Sequence, residues 1–228
     1  MDSIDNERAQ FVARCEEIRA LLEPRITILI GERCTHRNGT IDHKKLPRVA
    51  REIAMSCWDE IQEIAKGCFS REMFPNLPTP KLYGCDGGGD PVPDVYLMMW
   101  RKGGMRPEAT SIHDHGKSRV GVYVMQGEVS EYVYGVDPKA WRDHQNPLQY
   151  TIWRRRLSAG KSLYVPAPYI HRMMDHVREG FAVHVYANPP LDEQTSYVRV
   201  GDMLYRGEQW REEGLSACAS ARGEDVVA

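Results

Sequence analysis

Apolar residues in the first third of the chain recur at three- and four-residue spacing, which is typical of helices that face a core. The first such stretch covers residues 11–22, and Pro24 predicts its end. The second covers residues 46–66, with Pro47 near its start, where the missing amide hydrogen costs nothing. The pattern therefore predicts two helices in a helical N-terminal region over 1–70.

The segment 74–93 has a different character, since it contains five prolines and the glycine run 87–89. Prolines and glycines at this density break regular structure. The glycine run is not followed by the Gly-Lys-Ser/Thr of a phosphate-binding loop. We therefore predict a loop over this segment.

Short runs of β-branched and aromatic residues follow, separated by turn residues, which favours a sandwich or a barrel. These runs occupy residues 95–100, 120–127, 129–135, 150–157, 162–166 and 181–186. We predict a mainly β sandwich or barrel over 71–210, which forms one structural domain with the helical region packed on it. The polar, small-residue tail 211–228 predicts a flexible segment.

Composition narrows the classes of partner and compartment. The chain has 228 residues, and its 30 Lys+Arg against 32 Asp+Glu argue against nucleic acid as a partner. No apolar run approaches the roughly 20 residues that span a bilayer, so we expect no membrane partner. The polar N-terminus is not a secretory signal, and the six scattered cysteines form no CxxC pair. These features predict reduced thiols and a cytoplasmic protein.

Three of the histidines have the spacing of a metal site. His113 and His115 form H-D-H, and in an extended segment residues two apart point to the same face. His171 follows on a later strand, so the three imidazoles would close one face around an ion and leave positions open for ligands. A structural zinc site would call for four protein ligands, and none of the cysteines has suitable spacing. The sequence therefore predicts a three-histidine metal site.

The surroundings of these histidines resemble the two halves of the cupin signature. Gly127 lies twelve residues after His115, and Gly160, Pro166 and His171 have the spacing of the second half. Val120 stands where cupins usually have a glutamate ligand. A cupin with three histidines and no glutamate resembles the thiol dioxygenases, of which cysteine dioxygenase is the best-known member.

Longer motifs support the resemblance to the cysteine dioxygenases. S-I-H-D-H with the downstream hairpin V-M-Q-G-E-V-S-E-Y-V-Y is similar to the first motif of that family. A-V-H-V-Y-x-x-P-P is similar to its closing segment. The resemblance covers about residues 94–190, and it implies a cupin fold, a double-stranded β-helix or jelly-roll barrel with N-terminal α-helices.

The resemblance also implies an activity and its residues. His113, His115 and His171 would bind Fe(II), and a small thiol and O2 would react there to give a sulfinate. His184 and Tyr186 would form the His–Tyr pair beside the metal, with Tyr186 donating a hydrogen bond to the reacting oxygen. Along the chain these two residues alternate with valines, so they share one strand face.

Two departures from the family lie beside this pair. Mammalian members carry a cysteine that crosslinks to the tyrosine, and Val120 stands at that position, so no thioether can form. Ala182 replaces the family serine, which removes one hydroxyl from the His–Tyr relay.

A third departure concerns the substrate. Cysteine dioxygenases hold the substrate carboxylate with an arginine upstream of strand 95–100, and Tyr83 stands at that position. The guanidinium groups that would replace it belong to Arg101 and Arg106, on the long loop before His113, or to Arg172.

These departures leave several functions open. The substrate is L-cysteine, a close analogue, or another thiol such as 3-mercaptopropionate. A diverged cysteine oxidation of specialised metabolism would give a sulfonamide or a C–C cleaved product. Three histidines also suit a non-redox cupin that binds Zn(II) or another divalent ion as a Lewis acid. A binding module without catalysis is the remaining class, and we expect a monomer or small homo-oligomer.

Overall fold

The computed structural model describes residues 3–35, 41–69, 81–83, 93–100, 112–113, 115, 118–134, 148–149, 152–166, 170–175, 180–187, 196–200 and 203–206. The helices of this part are α1 (Ser3–Cys34), α2 (Leu46–Ser56) and α3 (Trp58–Phe69), with a 3₁₀ turn at His43–Lys45. The first strands are β1 (Lys81–Tyr83), β2 (Asp94–Trp100), β3 (Ile112–His113), β4 (Arg119–Gln126), β5 (Glu128–Tyr134) and β6 (Leu148–Gln149). The later strands are β7 (Ile152–Ser158), β8 (Ser162–Val165), β9 (Ile170–Asp175), β10 (Gly180–Ala187), β11 (Ser196–Val200) and β12 (Met203–Arg206).

Helix α1 is longer than the sequence predicted, because Pro24 lies inside it rather than at its end. A proline in a helix removes one hydrogen bond and costs about 3 kcal/mol. Beyond Pro24, Ile26, Ile30 and Cys34 are buried and extend the apolar stripe of the first turns. Burial of a large aliphatic side chain contributes about 1.5–3 kcal/mol, so this packing offsets the cost of the proline.

The predicted helix over 46–66 is two helices, which meet at Cys57. This residue leaves helical geometry with φ −121° and ψ 27°, while its amide still donates to the carbonyl of Ile53 at 3.0 Å. Ile53 and Ile61 on either side of the break are both fully buried. The break therefore lets both segments turn their apolar stripes toward the same core.

The predicted loop over 74–93 is wrong at Lys81–Tyr83, which form β1 and pair with β2. Strand β1 lies at the edge of its sheet, where flanking prolines and glycines are tolerated. Leu82 provides the stabilising contact, since it is buried in the core under the helices. The glycine run 87–89 lies outside the described residues.

The strands form two antiparallel sheets, which confirms the predicted mainly β cupin architecture. The first sheet has the order β1-β2-β10-β4-β8, and the second has the order β6-β12-β11-β3-β9-β5-β7. The strands predicted from apolar runs are confirmed within one or two residues of their ends, whereas β6, β11 and β12 were not predicted. Gly127, at φ 77°, makes the tight turn between β4 and β5, which carries the chain from one sheet to the other.

Strand β10 shows how the layers are arranged. Phe181, Val183 and Val185 pack in the core that the first sheet forms with the helices. Ala182 and Tyr186 pack in a second core between the two sheets. Because residues alternate between the faces of a strand, β10 is buried along its whole length.

No helix in the described ranges is long and apolar enough to cross a membrane. The tail 211–228 lies outside the described residues. The division of the chain into regions 1–70, 71–210 and 211–228 stays a prediction.

We predict that Gly121→Ala lowers the free energy of unfolding by about 1–3 kcal/mol, the usual cost of overpacking. A β-carbon at this position would collide with the backbone of Leu46 and Pro47, where α2 begins against β4. Urea denaturation measures the effect.

The matched control is Gly31→Ala on α1, where a β-carbon meets no atom within 4 Å. Removal of a helical glycine should stabilise the protein by about 1 kcal/mol. Equal effects of the two substitutions would contradict the close approach of α2 to the sheet.

Candidate metal centre

The three histidines of the predicted metal site meet in the second sheet. His113 is the last residue of β3, and it is the antiparallel pairing partner of His171 on β9. His115 lies just beyond β3. All three side chains are buried, and their ligand nitrogens lie within 4.8 Å of one another. Residues 58 positions apart in the chain are thus neighbours because β3 and β9 pair.

The distances in this cluster fit a single ion. The Nε2 atom of His115 lies 3.0 Å from Nε2 of His113 and 3.4 Å from Nε2 of His171. With metal–nitrogen bonds of about 2.1 Å, two imidazoles are separated by about 3.0 Å at a right angle and by about 3.4 Å at the tetrahedral angle. Two of the three nitrogen–nitrogen separations therefore match those around a divalent transition metal.

Glu131 on β5 orients one of these ligands, and the sequence analysis assigned it no role. Its Oε1 atom lies 2.8 Å from Nδ1 of His171, and its other carboxylate oxygen accepts a hydrogen bond from Nε of Arg155 on β7. A proton on Nδ1 leaves the lone pair of Nε2 free for a metal. The motif V-S-E-Y-V contained the one signal, a carboxylate next to valines and a tyrosine on a predicted strand.

The carboxylate of Glu131 is charged although its side chain is fully buried. Burial by itself would raise the pKa of this group. Hydrogen bonds from His171 and Arg155 outweigh burial and hold the pKa of Glu131 below its usual value. The metal centre therefore has a fixed negative charge behind one of its ligands.

His184 and Tyr186 project from β10 of the first sheet toward this cluster. The ring of Tyr186 lies 5.4 Å from that of His115, edge to face. Its hydroxyl lies 3.5 Å from Nδ1 of His184. The Nε2 atom of His184 is buried without a hydrogen-bond partner in the described part of the chain. Ala182, two residues earlier on the same face, offers no hydroxyl to it.

Tyr186 is a protonated phenol in this environment. Burial, together with the nearby Tyr96, raises its pKa well above the usual value. Val120 on β4 is its cross-strand partner, so the residue that stands in place of the family cysteine lies beside the tyrosine. A valine there supplies no sulfur, and the hydroxyl of Tyr186 stays available as a hydrogen-bond donor.

The wall around the cluster is apolar. Besides the histidines and Tyr186, the described residues that line it are Met98, Val120, Val122, Val165 and Met173. The cavity they enclose has a volume of about 10 Å³, which is room for one ion or water molecule. No lysine or arginine belongs to this lining within the described ranges.

The structure places the candidate substrate residues differently from the metal ligands. Tyr83 packs against the core between the helices and the first sheet. Arg172 follows His171 on β9 and therefore points to the opposite face, where its guanidinium lies 5.3 Å from the ring centre of Tyr132. This placement favours a packing role for Arg172. Arg101 and Arg106 lie outside the described residues.

Burial keeps two histidines of the site neutral. Burial, then the neighbouring histidines His171 and His113, lower the pKa of His115 to about 2 and that of His184 to about 3. In an unfolded chain the pKa of a histidine is about 6.5. The folded protein therefore keeps both rings as neutral bases in the whole physiological range, as metal ligation requires.

We predict that the metal-free protein loses stability as the pH falls below about 6.5, because the unfolded chain then binds protons that His115 and His184 in the folded chain do not. Above that pH these two groups contribute a constant stability. Thermal unfolding of chelator-treated protein across this range measures the dependence. The double variant His115→Asn/His184→Asn should show a smaller slope, and a midpoint temperature that does not fall on acidification would contradict the burial of neutral rings.

Comparison with known proteins agrees with this geometry. The family model described as cysteine dioxygenase type I matches residues 86–200, just over half of the chain. Among curated proteins, no sequence matches the chain.

Structural similarity is found with several cupin enzymes. An oxalate oxidase is 18% identical over 43% of this chain and 44% of its own, with a TM-score of 0.34. KdgF from Halomonas sp. is 16% identical over 46% of this chain and 76% of its own, with a TM-score of 0.33. An oxalate decarboxylase from Lactobacillus farciminis is 11% identical over 60% of this chain and 33% of its own, with a TM-score of 0.36. The chain thus spans less than half the length of the oxalate oxidase that it matches.

The family match includes both strands of the paired histidines and the strand of the His–Tyr pair. By this match, together with the cupin fold, the chain belongs to the cysteine dioxygenase type I family.

Proposed function

We propose that this protein is a mononuclear non-haem iron enzyme that uses O2 to oxidise the sulfur of a small thiol, L-cysteine or a close analogue, to a sulfinate. The observation that carries the proposal is the convergence of three histidine Nε2 atoms without a carboxylate ligand, in a chain of the cysteine dioxygenase family. In the reaction a thiolate and O2 give a sulfinate. Both oxygen atoms go to sulfur, which loses four electrons while O2 gains four.

The charge of the site suits a thiolate. When bound to the three histidines, Fe(II) would lower the pKa of a coordinated thiol and supply the redox chemistry with O2. The imidazoles of His113, His115 and His171 are neutral ligands, so they leave the charge of the ion uncompensated in the first coordination shell. An anionic sulfur ligand is favoured there over a neutral one.

Tyr186 would act on the reacting atoms as a hydrogen-bond donor. Its raised pKa keeps the proton on its hydroxyl, and the contact with His184 restricts the rotation of that hydroxyl. The surrounding apolar wall excludes water, which strengthens a fixed dipole in the site. Tyr186 is therefore assigned a catalytic role, and His184 a positioning role.

The loop over 101–111 would supply the anchor for a substrate carboxylate. It connects Trp100, whose ring lies 6.3 Å from that of His184, with the strand that ends at His113. The residues on both sides of this segment therefore lie beside the site, and the segment contains Arg101 and Arg106. No lysine or arginine lines the described part of the cavity, and Arg172 points to the opposite face of β9, so we assign the anchor to this loop.

A second candidate is another small thiol, such as 3-mercaptopropionate, or a diverged oxidation of cysteine. The observation that favours it is the position of Tyr83, which stands where the family has its carboxylate-binding arginine and which packs against the helices. The cytoplasmic location and the oligomeric state stay predictions.

Anaerobic purification, metal analysis and O2 uptake across a panel of small thiols test the proposal. We expect iron to support O2 consumption with L-cysteine or a close analogue, and mass spectrometry to find a product two oxygen atoms heavier. His171→Ala should abolish both metal retention and O2 uptake because it removes one of the three ligands. His43→Ala, in the 3₁₀ turn, is the control and should change neither. Zinc binding without any thiol-dependent O2 uptake would instead support the non-redox cupin.

We predict that Arg101→Ala or Arg106→Ala raises the KM for a carboxylated thiol by roughly tenfold to a hundredfold, since a charge-assisted hydrogen bond contributes about 1.5–3 kcal/mol. The KM for cysteamine, which lacks the carboxylate, should change little. Arg156→Ala is the control, because this exposed residue pairs with Glu128 on the protein surface. Equal effects on both thiols would remove the loop from the binding site.

A further inference from the structure

Glu131 is an unusual residue for the interior of a β barrel. Its side chain is fully buried, and it lies on β5 between Arg155 of β7 and His171 of β9. An isolated charge in such a place would cost several kcal/mol, so buried carboxylates are retained where partners stabilise them. Here one partner is a surface-reaching cation and the other is a ligand of the candidate metal centre.

The position of this carboxylate complements the ligand set. Val120 occupies the place of the glutamate ligand that the cupin signature would supply, and the three ligand residues in the described part of the chain are all histidines. The negative charge of Glu131 lies behind the ring of His171, with its carboxylate oxygen Oε1 2.8 Å from Nδ1 of that ring. A carboxylate that accepts the Nδ1 proton makes Nε2 a stronger electron donor and fixes the orientation of the ring.

We propose that Glu131 is a positioning residue whose negative charge strengthens the bond from His171 to the metal, and that Arg155 moderates this charge. The inference rests on the proposed metal site. Arg155 donates a hydrogen bond to the second oxygen of Glu131, and its side chain is 31% exposed, so it withdraws charge from the carboxylate while it reaches solvent.

This assignment predicts opposite effects of the two partners. Glu131→Gln preserves the shape and an acceptor for the Nδ1 proton but removes the charge, so metal binding should weaken. Arg155→Gln removes the hydrogen bond from the arginine, so the charge of the carboxylate acts on His171 alone. The affinity for the metal should therefore increase. The alternative is that Glu131 and Arg155 only hold β5 in position against β7 and β9. In that case the loss of either residue would leave His171 less well positioned, and both variants would bind metal more weakly.

The chain contains a matched control for both substitutions. Glu128 and Arg156 form a second ion pair between the same two strands, at 3.7 Å, with side chains 38% and 63% exposed. Glu128→Gln and Arg156→Gln change the net charge by the same amounts as the test variants. They do so at the surface, away from the histidines.

The experiment measures dissociation constants for Co(II) and Zn(II) by competition with a chelator, on the full chain at neutral pH and fixed ionic strength. We expect Glu131→Gln to weaken binding by roughly ten- to a hundredfold, the usual effect of removing such a partner. Arg155→Gln should tighten it, and the two controls should stay within about twofold of the wild type, as distant exposed charges are screened. The Fe(III)/Fe(II) midpoint potential of the iron-loaded protein should rise in Glu131→Gln and fall in Arg155→Gln.

Each result decides between the possibilities. Unchanged affinity in Glu131→Gln, or weaker binding in both test variants, would overturn the role of the charge while the metal site itself stands. A wild-type protein that binds neither ion would instead overturn the proposed metal site. If Glu131→Gln does not fold, Arg155→Gln at the partly exposed position still decides, since tighter binding supports the proposal and weaker binding overturns it.

Discussion

The antiparallel pairing of β3 with β9 is the contact on which the metal centre depends. It sets His113 directly opposite His171, and the short segment after β3 brings His115 to the same point. Cross-strand neighbours lie about 5 Å apart, which is the separation that lets two imidazoles reach one ion. A shift of β9 by a single residue would turn His171 to the opposite face and place Arg172 in the site.

The helices position the other part of the site, because they cover the outer face of the first sheet. Helix α2 covers the outer face of the first sheet so closely that β4 needs Gly121 under Leu46. Because that face is covered, the alternate residues of β10 divide between two cores, and His184 and Tyr186 are held on the inner face. The helical region therefore contributes to the site although none of the described residues that line it belongs to a helix.

The protonation states of His115 and Glu131 depend on burial and on hydrogen-bond partners together. His115 stays neutral because burial opposes protonation, whereas Glu131 stays ionised because His171 and Arg155 satisfy its oxygens. The result is a neutral His115 close to one fixed negative charge. With a valine at position 120, the metal site that we propose has no carboxylate among its described ligands, and its remaining positions would be open to external ligands.

The sequence by itself determined the strands that have clear apolar runs and the three histidines of the candidate site, because alternation and motif spacing are local properties of the chain. It failed where packing overrides local preference: Pro24 lies inside α1, and one apolar stripe is divided at Cys57. Only the tertiary structure decided the partner of Glu131. The residue lies 40 positions from His171, and no pattern within a strand encodes which distant side chain the next strand will bring into contact with it.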